Sequence, residues 1–382
     1  MFVVTIITIC LIFLTKSKFC CSTPSLSSSD LKQIWNTPIC DTRRSFVTCC
    51  RSIVNTMTVI SILGVDFCIF PRKYAKTETF GFSLMDVGVG FFVFSNAAVT
   101  KTEKIVRGGV KKTILSCFAL FMLGLSRYFS LQEINYQTNI AEYGTHWNFF
   151  FTLGTIKLLS FIILKIFNCT FCTSIFLSFT HQFLLYIGLQ EYVIGDRGRE
   201  NWIDANREGL VSILGYTSLY LIGISTNKFV LETSSTLARD LKIIIKLVFT
   251  SAVLFTTTLY FNNFFPVSRR LVGLTYISWV TSLALLHVSV AMVVEIIVIL
   301  IITPVKGNKF YSFLTPILFE SINYNGLIFF LLANLHTGLV NIFFDTLKIQ
   351  TIESLLILVI YMGLNCGIIC FLYYRKIQLK FW

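Results

Sequence analysis

Apolar segments recur along this chain from residue 52 to residue 374, and short polar connections separate them. A helix needs about 20 apolar residues to cross a bilayer, and lipid offers no partner to the backbone of an open segment. The pattern therefore predicts an all-α, polytopic bundle of about 10–11 transmembrane helices. The segments lie at about 52–70, 83–99, 113–130, 147–167, 169–188, 209–225, 243–261, 272–302, 323–344 and 354–374. The run at 272–302 is either one long tilted helix or a span followed by a re-entrant piece.

The composition excludes a separate soluble domain. Hydrophobic residues make up 55% of the chain and charged residues only 13%, whereas a soluble domain carries about 25% charged residues. We expect one transmembrane domain at 51–382, preceded by a divergent segment at 1–50. That segment holds one short apolar stretch at residues 1–14, which fits either a signal-peptide core or a truncated span.

The charge of +13 is scattered between the apolar segments, so it indicates membrane topology and not a nucleic-acid partner. Counted on alternate sides of the membrane, seventeen lysines and arginines lie on one side and nine on the other. The positive-inside rule assigns the richer side, with the C-terminus, to the cytosol. The connections 71–82, 131–146 and 189–208 then face the lumen or exterior, which places Lys76, Glu142, His146 and Glu208 together on that side.

The cysteine pattern predicts no metal centre. Of twelve cysteines, Cys169 and Cys172 form a CxxC pair that has no second pair to complete a zinc site. The four histidines also form no HExxH pattern. We expect neither a metal nor a bound cofactor.

Two carboxylates in consecutive apolar segments, Asp66 and Asp86, are the first candidates for chemistry. An ionised carboxylate near the bilayer centre costs about 2.5–3.5 kcal/mol on insertion scales, so such residues usually serve function. Asp66 is predicted to lie inside the end of its span, where partial burial would suit a general base. Lys76 follows after the break at Pro71 and could fold back to it. The alternative is an interfacial ion pair of Asp66 with Arg72 or Lys73.

The second apolar segment places Ser83, Asp86, Gly90 and Ala97 on one helical face. Small residues on a face allow close approach of another helix or of an acyl chain. Asp86 needs a cationic partner there, and we expect Lys76, Arg72 or Arg127 to supply it.

Polar residues near other segment ends are further candidates. Glu142 and His146 are predicted to share a helix face, where they could bind a headgroup or relay a proton, or simply anchor a helix start. Arg207 could grip a phosphate, or belong to an ordinary helix N-terminus capped by Asn206. Ser268-Arg269-Arg270 invites the same phosphate interpretation, and Asn334, Thr337 or Gly338, and Asn341 are predicted to share an inward face. The candidate substrate-binding residues are Arg72, Asp86, Asn96, Arg127, Glu142, His146, Asn148, Arg207, Arg269, Arg270 and Asn334.

Five segments together resemble the GPI inositol acyltransferase family of the endoplasmic reticulum. They are VDFCIFPRKYAKTETFGFSLMDVGVGFFVFSN at 65–96, EYGTHWNFFFTL at 142–153, NREGLVSILGY at 206–216, SRRL at 268–271 and ANLHTGLVN at 333–341. The resemblance covers the chain from about residue 51 to its end. It implies transfer of a fatty acyl group, usually palmitoyl, from acyl-CoA as co-substrate to the inositol of glucosaminyl-phosphatidylinositol. It also implies that Asp66 and Lys76 are the acyl-transfer pair.

On this hypothesis Asp66 accepts the inositol hydroxyl proton and Lys76 stabilises the developing negative charge. Three alternatives remain open at this point. The chain could be a proton-coupled transporter or lipid flippase that uses Asp66 and Asp86 as relay groups, although no internal repeat supports this. It could be a non-catalytic assembly subunit. It could also be a histidine-based membrane acyltransferase with His146 as the base.

Overall fold

The computed structural model describes residues 45–100, 109–133, 140–167, 169–196, 198–231, 236–306 and 315–379. Within these ranges the regular structure is entirely helical, so the predicted all-α class is confirmed. Residues 1–44, which make up most of the predicted N-terminal segment, lie outside the described residues.

The helices follow one another along the chain with short connections, and α6 contains a π turn at Leu185–Leu189. Their bounds are α1 Ser45–Gly64, α2 Leu84–Ala97, α3 Val110–Glu133, α4 Ile140–Tyr143, α5 Phe149–Ile166, α6 Thr170–Ile194, α7 Trp202–Ala205, α8 Arg207–Leu231, α9 Leu237–Phe261, α10 Leu274–Lys306, α11 Ile317–Tyr324, α12 Gly326–Phe343 and α13 Thr351–Tyr374.

Most of these helices suit a bilayer. Among the described residues, nine are long and apolar enough to cross a membrane: α1, α3, α5, α6, α8, α9, α10, α12 and α13. The helix α2 is also apolar but has only 14 residues. The chain is therefore a polytopic membrane protein, as predicted. The run at 272–302 is one continuous helix, α10, which decides between the two possibilities left open for it.

The described residues form two compact units. The first contains the described chain up to Ala75, Val230–Ser251 and the described chain from Ala284 onwards. Its core joins α1, α11, α12 and α13 through buried apolar side chains. These are Val59, Leu63, Phe67, Ile322, Phe329, Ala333, Tyr361 and Ile369. The hydroxyl of Tyr361 lies 3.2 Å from the carbonyl oxygen of Val59 and 3.3 Å from that of Ala333. One buried polar atom thus ties α13 to α1 and α12.

The second unit contains Lys76–Phe229 and Ala252–Leu283. Small residues of α2 allow other helices to approach closely. A Cβ on Gly90 would lie 2.7 Å from Val280 Cγ1 of α10, and Ala97 packs directly against Gly223 of α8. The helix-packing interpretation of the small face of α2 is confirmed, because this face lies against the N-terminal part of α10 and against α8.

The end of α1 differs from the prediction. The apolar run continues to Phe70, but α1 ends at Gly64 and Asp66 lies beyond it. The backbone tightens into turns in which Asp66 N–H donates to Leu63 O and Phe67 N–H donates to Gly64 O. The expectation that Asp66 lies inside the span is therefore wrong. These i→i+3 bonds replace the helical i→i+4 pattern, which hydropathy alone does not reveal.

Close packing in the second unit predicts the effect of one glycine substitution. We expect Gly215→Ala to destabilise the protein by about 1–3 kcal/mol, because the new Cβ would lie 2.3 Å from the carbonyl oxygen of Val272. Thermal unfolding of the purified protein in detergent should show a lower midpoint. The control is Gly363→Ala, whose Cβ would meet no atom within 4 Å. Equal midpoints for the two variants would contradict the tight contact.

Candidate active site

Asp86 lies in the first turn of α2, at the end of the helix and not near the middle of a span. Ser83 is the N-cap, and its Oγ accepts a hydrogen bond from Asp86 N–H at 3.1 Å. In return, Asp86 Oδ2 accepts from Ser83 Oγ at 2.7 Å and from the N–H and Oγ1 of Thr77 at 3.1 and 2.7 Å. One carboxylate oxygen therefore fixes both the helix start and the connection before it.

The cationic partner of Asp86 is Arg269, from the turn before α10. Its Nε donates to Asp86 Oδ1 at 2.8 Å, and its Nη1 donates to Glu142 Oε1 at 3.1 Å. The sequence-based expectation of Lys76, Arg72 or Arg127 as this partner is wrong. A planar guanidinium offers donors in several directions, which allows one buried arginine to serve two carboxylates.

Lys76 is bound to Glu142, in agreement with the prediction that their connections lie on one side. Its Nζ donates to Oε1 at 2.8 Å and to Oε2 at 2.9 Å. Solvent exposure of the side chains rises along the series, from 1% for Asp86 and 5% for Arg269 to 22% for Glu142 and 41% for Lys76. We call these four residues the charge chain. It is anchored in the protein interior and presents an ammonium group at its accessible end.

The electrostatics of the charge chain keep Glu142 ionised. Burial raises the pKa of the Glu142 carboxyl, but the charges of Lys76 and Arg269 outweigh it and hold that pKa below its ordinary value. Burial would lower the pKa of Arg269, yet the surrounding acidic groups, Glu142 foremost, raise it. The neighbouring Tyr143 has its pKa raised well above the usual value by burial. The charge chain therefore consists of two carboxylates and two cations.

A second group of charges surrounds Glu208 in the first turn of α8. This carboxylate is fully buried. Its Oε1 accepts hydrogen bonds from Arg199 Nη2 at 2.5 Å and from Arg270 Nη2 at 3.2 Å. Arg207 Nε lies 3.9 Å from Glu208 Oε1, and Arg207 Nη2 donates to Gly195 O at 2.9 Å. Arg199 was not among the predicted candidates. The only indication for Arg199 was its place in the connection 189–208, which also contains Glu208 and was predicted to face the lumen or exterior.

Asp66 belongs to the first unit, where its Oδ2 accepts a hydrogen bond from Asn341 Nδ2 of α12 at 2.9 Å. Thr337 of the same helix is buried and donates to Tyr361 Oη at 3.4 Å. Asn334 instead donates to Phe330 O of its own helix at 2.8 Å. The predicted inward face of α12 thus has polar contacts to other segments at Thr337 and Asn341, whereas Asn334 bonds to the backbone of its own helix.

The predicted helix face shared by Glu142 and His146 does not form. The short helix α4 ends at Tyr143, and Gly144 follows with φ of 115°, which turns the chain away. His146 N–H donates to Asn206 Oδ1 at 2.9 Å, and its ring packs against Tyr128. Asn206 therefore holds the 144–146 turn through its side chain, and its backbone oxygen accepts Leu210 N–H in the first turn of α8.

Other candidates contact their own segment or a neighbouring helix. Asn96 donates to Phe92 O of its own helix. Asn148 caps α5 through Phe150 N–H and Phe151 N–H, and its Nδ2 donates to Gly124 O of α3. Arg72 Nη1 donates to Val65 O, and Arg127 is an exposed residue of α3. Their roles in substrate binding stay predictions. Among the described residues, no group of three or more His, Cys, Asp or Glu side chains is placed to hold a metal ion.

Comparison with known proteins identifies the family. A family model described as GWT1 matches residues 1–372 of this chain. The chain belongs to the GWT1 family. The GPI-anchored wall transfer protein 1 of Yarrowia lipolytica is 34% identical over 361 residues, which cover 89% of this chain and 74% of that protein. The human glucosaminyl-phosphatidylinositol-acyltransferase PIGW is 32% identical over 376 residues, covering 88% and 75%. The GPI-anchored wall transfer protein 1 of Schizosaccharomyces pombe is 35% identical over 336 residues, covering 85% and 72%.

Membership of the GWT1 family confirms the resemblance deduced from the five sequence segments. The names of the relatives also confirm the prediction of an acyltransferase in a family of GPI-anchor biosynthesis. One residue of this chain that the sequence did not indicate is Tyr276 of α10. Its hydroxyl donates to the backbone oxygen of Asp86 at 2.7 Å and so helps to hold the start of α2. An apolar helix gives no sign of such a contact.

The buried part of the charge chain predicts a large loss of stability on truncation. We expect Asp86→Ala to cost about 3–5 kcal/mol, because it leaves Arg269 buried without one of its two carboxylates. The measurement is thermal or denaturant unfolding in detergent. Asp345→Ala is the matched control, since Asp345 pairs with Lys348 on the exposed surface and should leave stability nearly unchanged. Similar losses in both variants would show that burial does not govern the Asp86 pair.

Proposed function

We propose that this protein transfers a fatty acyl group, palmitoyl in the first instance, from acyl-CoA to an inositol hydroxyl of glucosaminyl-phosphatidylinositol. Support comes from relatives named for an acyltransferase that acts on this lipid and from the polar residues at the helix ends. The proposed location is the endoplasmic reticulum membrane. The C-terminus is proposed to face the cytosol, and the connections 71–82 and 131–146 the lumen, from the distribution of lysine and arginine.

The single observation that carries this proposal is the accessible ammonium group of Lys76 at the end of the charge chain. Both oxygens of Glu142 accept hydrogen bonds from its Nζ, so Lys76 acts as a cation and not as a nucleophilic amine. A fixed positive charge stabilises the oxyanion that forms when a thioester carbonyl is attacked. That role matches the one implied for Lys76 by the family resemblance.

Asp66 is proposed to be the general base. Its carboxylate accepts the proton of the inositol hydroxyl as the hydroxyl oxygen attacks the thioester carbonyl carbon. The tetrahedral oxyanion then collapses, the carbon–sulfur bond breaks, and the CoA thiolate leaves with the proton from Asp66. The hydrogen bond from Asn341 Nδ2 to Asp66 Oδ2 restrains the orientation of the carboxylate, as a general base requires.

Arg207 and Arg270 are proposed to bind the phosphate of the lipid substrate, because a guanidinium fork matches phosphate oxygens. Both lie beside Glu208, which holds them in place. Arg269 is paired with Asp86 and Glu142. We therefore propose that it belongs to the charge chain and does not bind the phosphate.

The proposed reaction predicts that Lys76→Ala lowers turnover by about 10²–10³, the typical effect of removing a group that stabilises the oxyanion. Asp66→Asn should lower it by about 10²–10⁴, the typical contribution of a general base. The assay is acyl transfer from palmitoyl-CoA to glucosaminyl-phosphatidylinositol by the purified chain. Matched controls are Lys348→Ala and Asp345→Asn, which change an exposed ion pair with no proposed role in the reaction and should retain full activity.

Three outcomes would overturn parts of this proposal. Absence of acyl transfer by the folded, unmodified protein would contradict the reaction itself. Full activity of well-folded Asp66→Asn or Lys76→Ala would remove that residue from the mechanism. Loss of activity in His146→Ala alongside normal activity in Asp66→Asn would assign the base to His146.

A further inference from the structure

Together with the backbone from Lys76 to Thr77, the charge chain forms a closed ring that includes Lys76. Thr77, the next residue along the chain, donates both its N–H and its Oγ1 to Asp86 Oδ2. The other oxygen of Asp86 receives Arg269, which holds Glu142, which in turn holds the Lys76 ammonium. Asp86 therefore restrains both the backbone beside Lys76 and, through two further side chains, the tip of its side chain.

We propose that Asp86, Arg269 and Glu142 are positioning residues for Lys76. This inference rests on the proposed function, in which Lys76 stabilises the oxyanion. A lysine side chain is long and flexible, so it has many accessible rotamers. A ring of ion pairs and hydrogen bonds reduces that freedom before the substrate arrives. Positioning of this kind matters because a misplacement of about 1 Å can cost about 10²-fold in rate.

Burial supports the direction in which the ring acts. Asp86 and Arg269 are almost completely enclosed, and they are paired with each other and with Glu142, so both are engaged in holding the ring together. Glu142 is partly enclosed and Lys76 is the accessible member. The buried pair is therefore suited to a structural role, while the accessible end is suited to the reaction.

The pH dependence of the ring follows from the groups that face Glu142. These are Lys76 from the connection before α2, Arg127 from α3, Arg269 from the turn before α10, and Tyr143 beside it. The cations lower the pKa of Glu142 below its ordinary value, so its ion pair with Lys76 also persists at pH values somewhat below that ordinary pKa. The pair is lost only as the pH falls through the lowered pKa of the folded protein.

The test is the pH dependence of kcat and KM for acyl transfer. Arg269→Gln removes a charge that lowers the pKa of Glu142, so we expect kcat to fall by about 10-fold to 10²-fold and the acid limb to move to higher pH. Arg269→Lys keeps a charge and should move the limb back towards that of the unmodified protein. Glu142→Gln, at the partly exposed position, should lower kcat more than it changes KM, and Arg375→Gln at the exposed C-terminal end of α13 should change neither.

The possible failures are distinguishable. Inactive Lys76→Ala together with an unshifted acid limb in folded Arg269→Gln and normal kcat in Glu142→Gln would overturn the positioning role alone. Fully active Lys76→Ala would overturn the proposed function instead. Should Arg269→Gln fail to fold, Glu142→Gln and Glu142→Asp decide the question, because rescue of kcat by the shorter carboxylate is expected only if its charge holds Lys76.

A separate observation concerns Cys169 and Cys172 at the start of α6. Both side chains are exposed, and their Sγ atoms lie 2.7 Å apart. Cys169 is the N-cap of the helix, and its Sγ accepts a hydrogen bond from Cys172 N–H at 3.4 Å. A thiol in this position is close to the unpaired N–H groups of a helix N-terminus, which favour the reactive thiolate form.

We infer that Cys169 and Cys172 form a site of reversible disulfide formation by exchange with a small-molecule disulfide. The Cys169 thiolate attacks one sulfur of that disulfide and releases one thiol. Cys172 then attacks the Cys169 sulfur of the mixed disulfide, forms the intrachain bond and releases the second thiol. The small-molecule disulfide is reduced, the two cysteines are oxidised, and their two protons end on the two released thiols.

Oxidised glutathione in excess over reduced glutathione is the probe for this site. After incubation of the purified full chain, free thiols are alkylated and peptides analysed by mass spectrometry without reduction. We expect one peptide in which Cys169 and Cys172 are joined, and its reversal by dithiothreitol. Cys172→Ser should instead trap one glutathione on Cys169. Cys366 and Cys370, four residues apart within α13 and partly buried, should remain free. Complete alkylation of both Cys169 and Cys172, or a stable mixed disulfide on the unmodified chain, would overturn the inference.

Discussion

The guanidinium of Arg269 is the constraint on which the candidate site depends. It joins the first turn of α2, through Asp86, to the short helix α4, through Glu142. These residues are 183 and 127 positions away from it in the chain. A buried charge is costly unless it is paired, so the two carboxylates and the arginine hold one another in place. The position of Lys76 follows from this arrangement, because Glu142 is its partner.

Hydropathy predicted the spans well and their ends poorly. The ten apolar segments correspond to α1, α2, α3, α5, α6, α8, α9, α10, α12 and α13. Apolar residues such as Phe67 and Phe70 continue past the last turn of α1, so hydropathy extends that segment beyond Gly64. The true end is set by turn hydrogen bonds at Leu63 and Gly64. Asp66 was misplaced for that reason.

The residue types of the site were predictable, but most of their partners were not. The sequence named Lys76, Asp86, Glu142 and Arg269 as candidates, and topology placed Lys76 and Glu142 on one side. The pair of Asp86 with Arg269 depends on how segments far apart in sequence pack, which charge alone does not indicate. Polar residues also have local uses. Asn148 caps a helix and Asn96 bonds its own backbone, so a polar residue in a span is a weak indicator of a substrate site.

The order of residues in the charge chain has a physical reason. Two carboxylates and two cations sum to no net charge, so the buried part needs no external counter-ion. If the order were reversed, with Lys76 enclosed, the flexible and strongly hydrated ammonium would bear the cost of burial. The rigid guanidinium, which is more weakly hydrated, is enclosed instead, with its donors on two carboxylates. The accessible ammonium of Lys76 can then stabilise the oxyanion of the proposed reaction, while its ion pair with Glu142 keeps it in place.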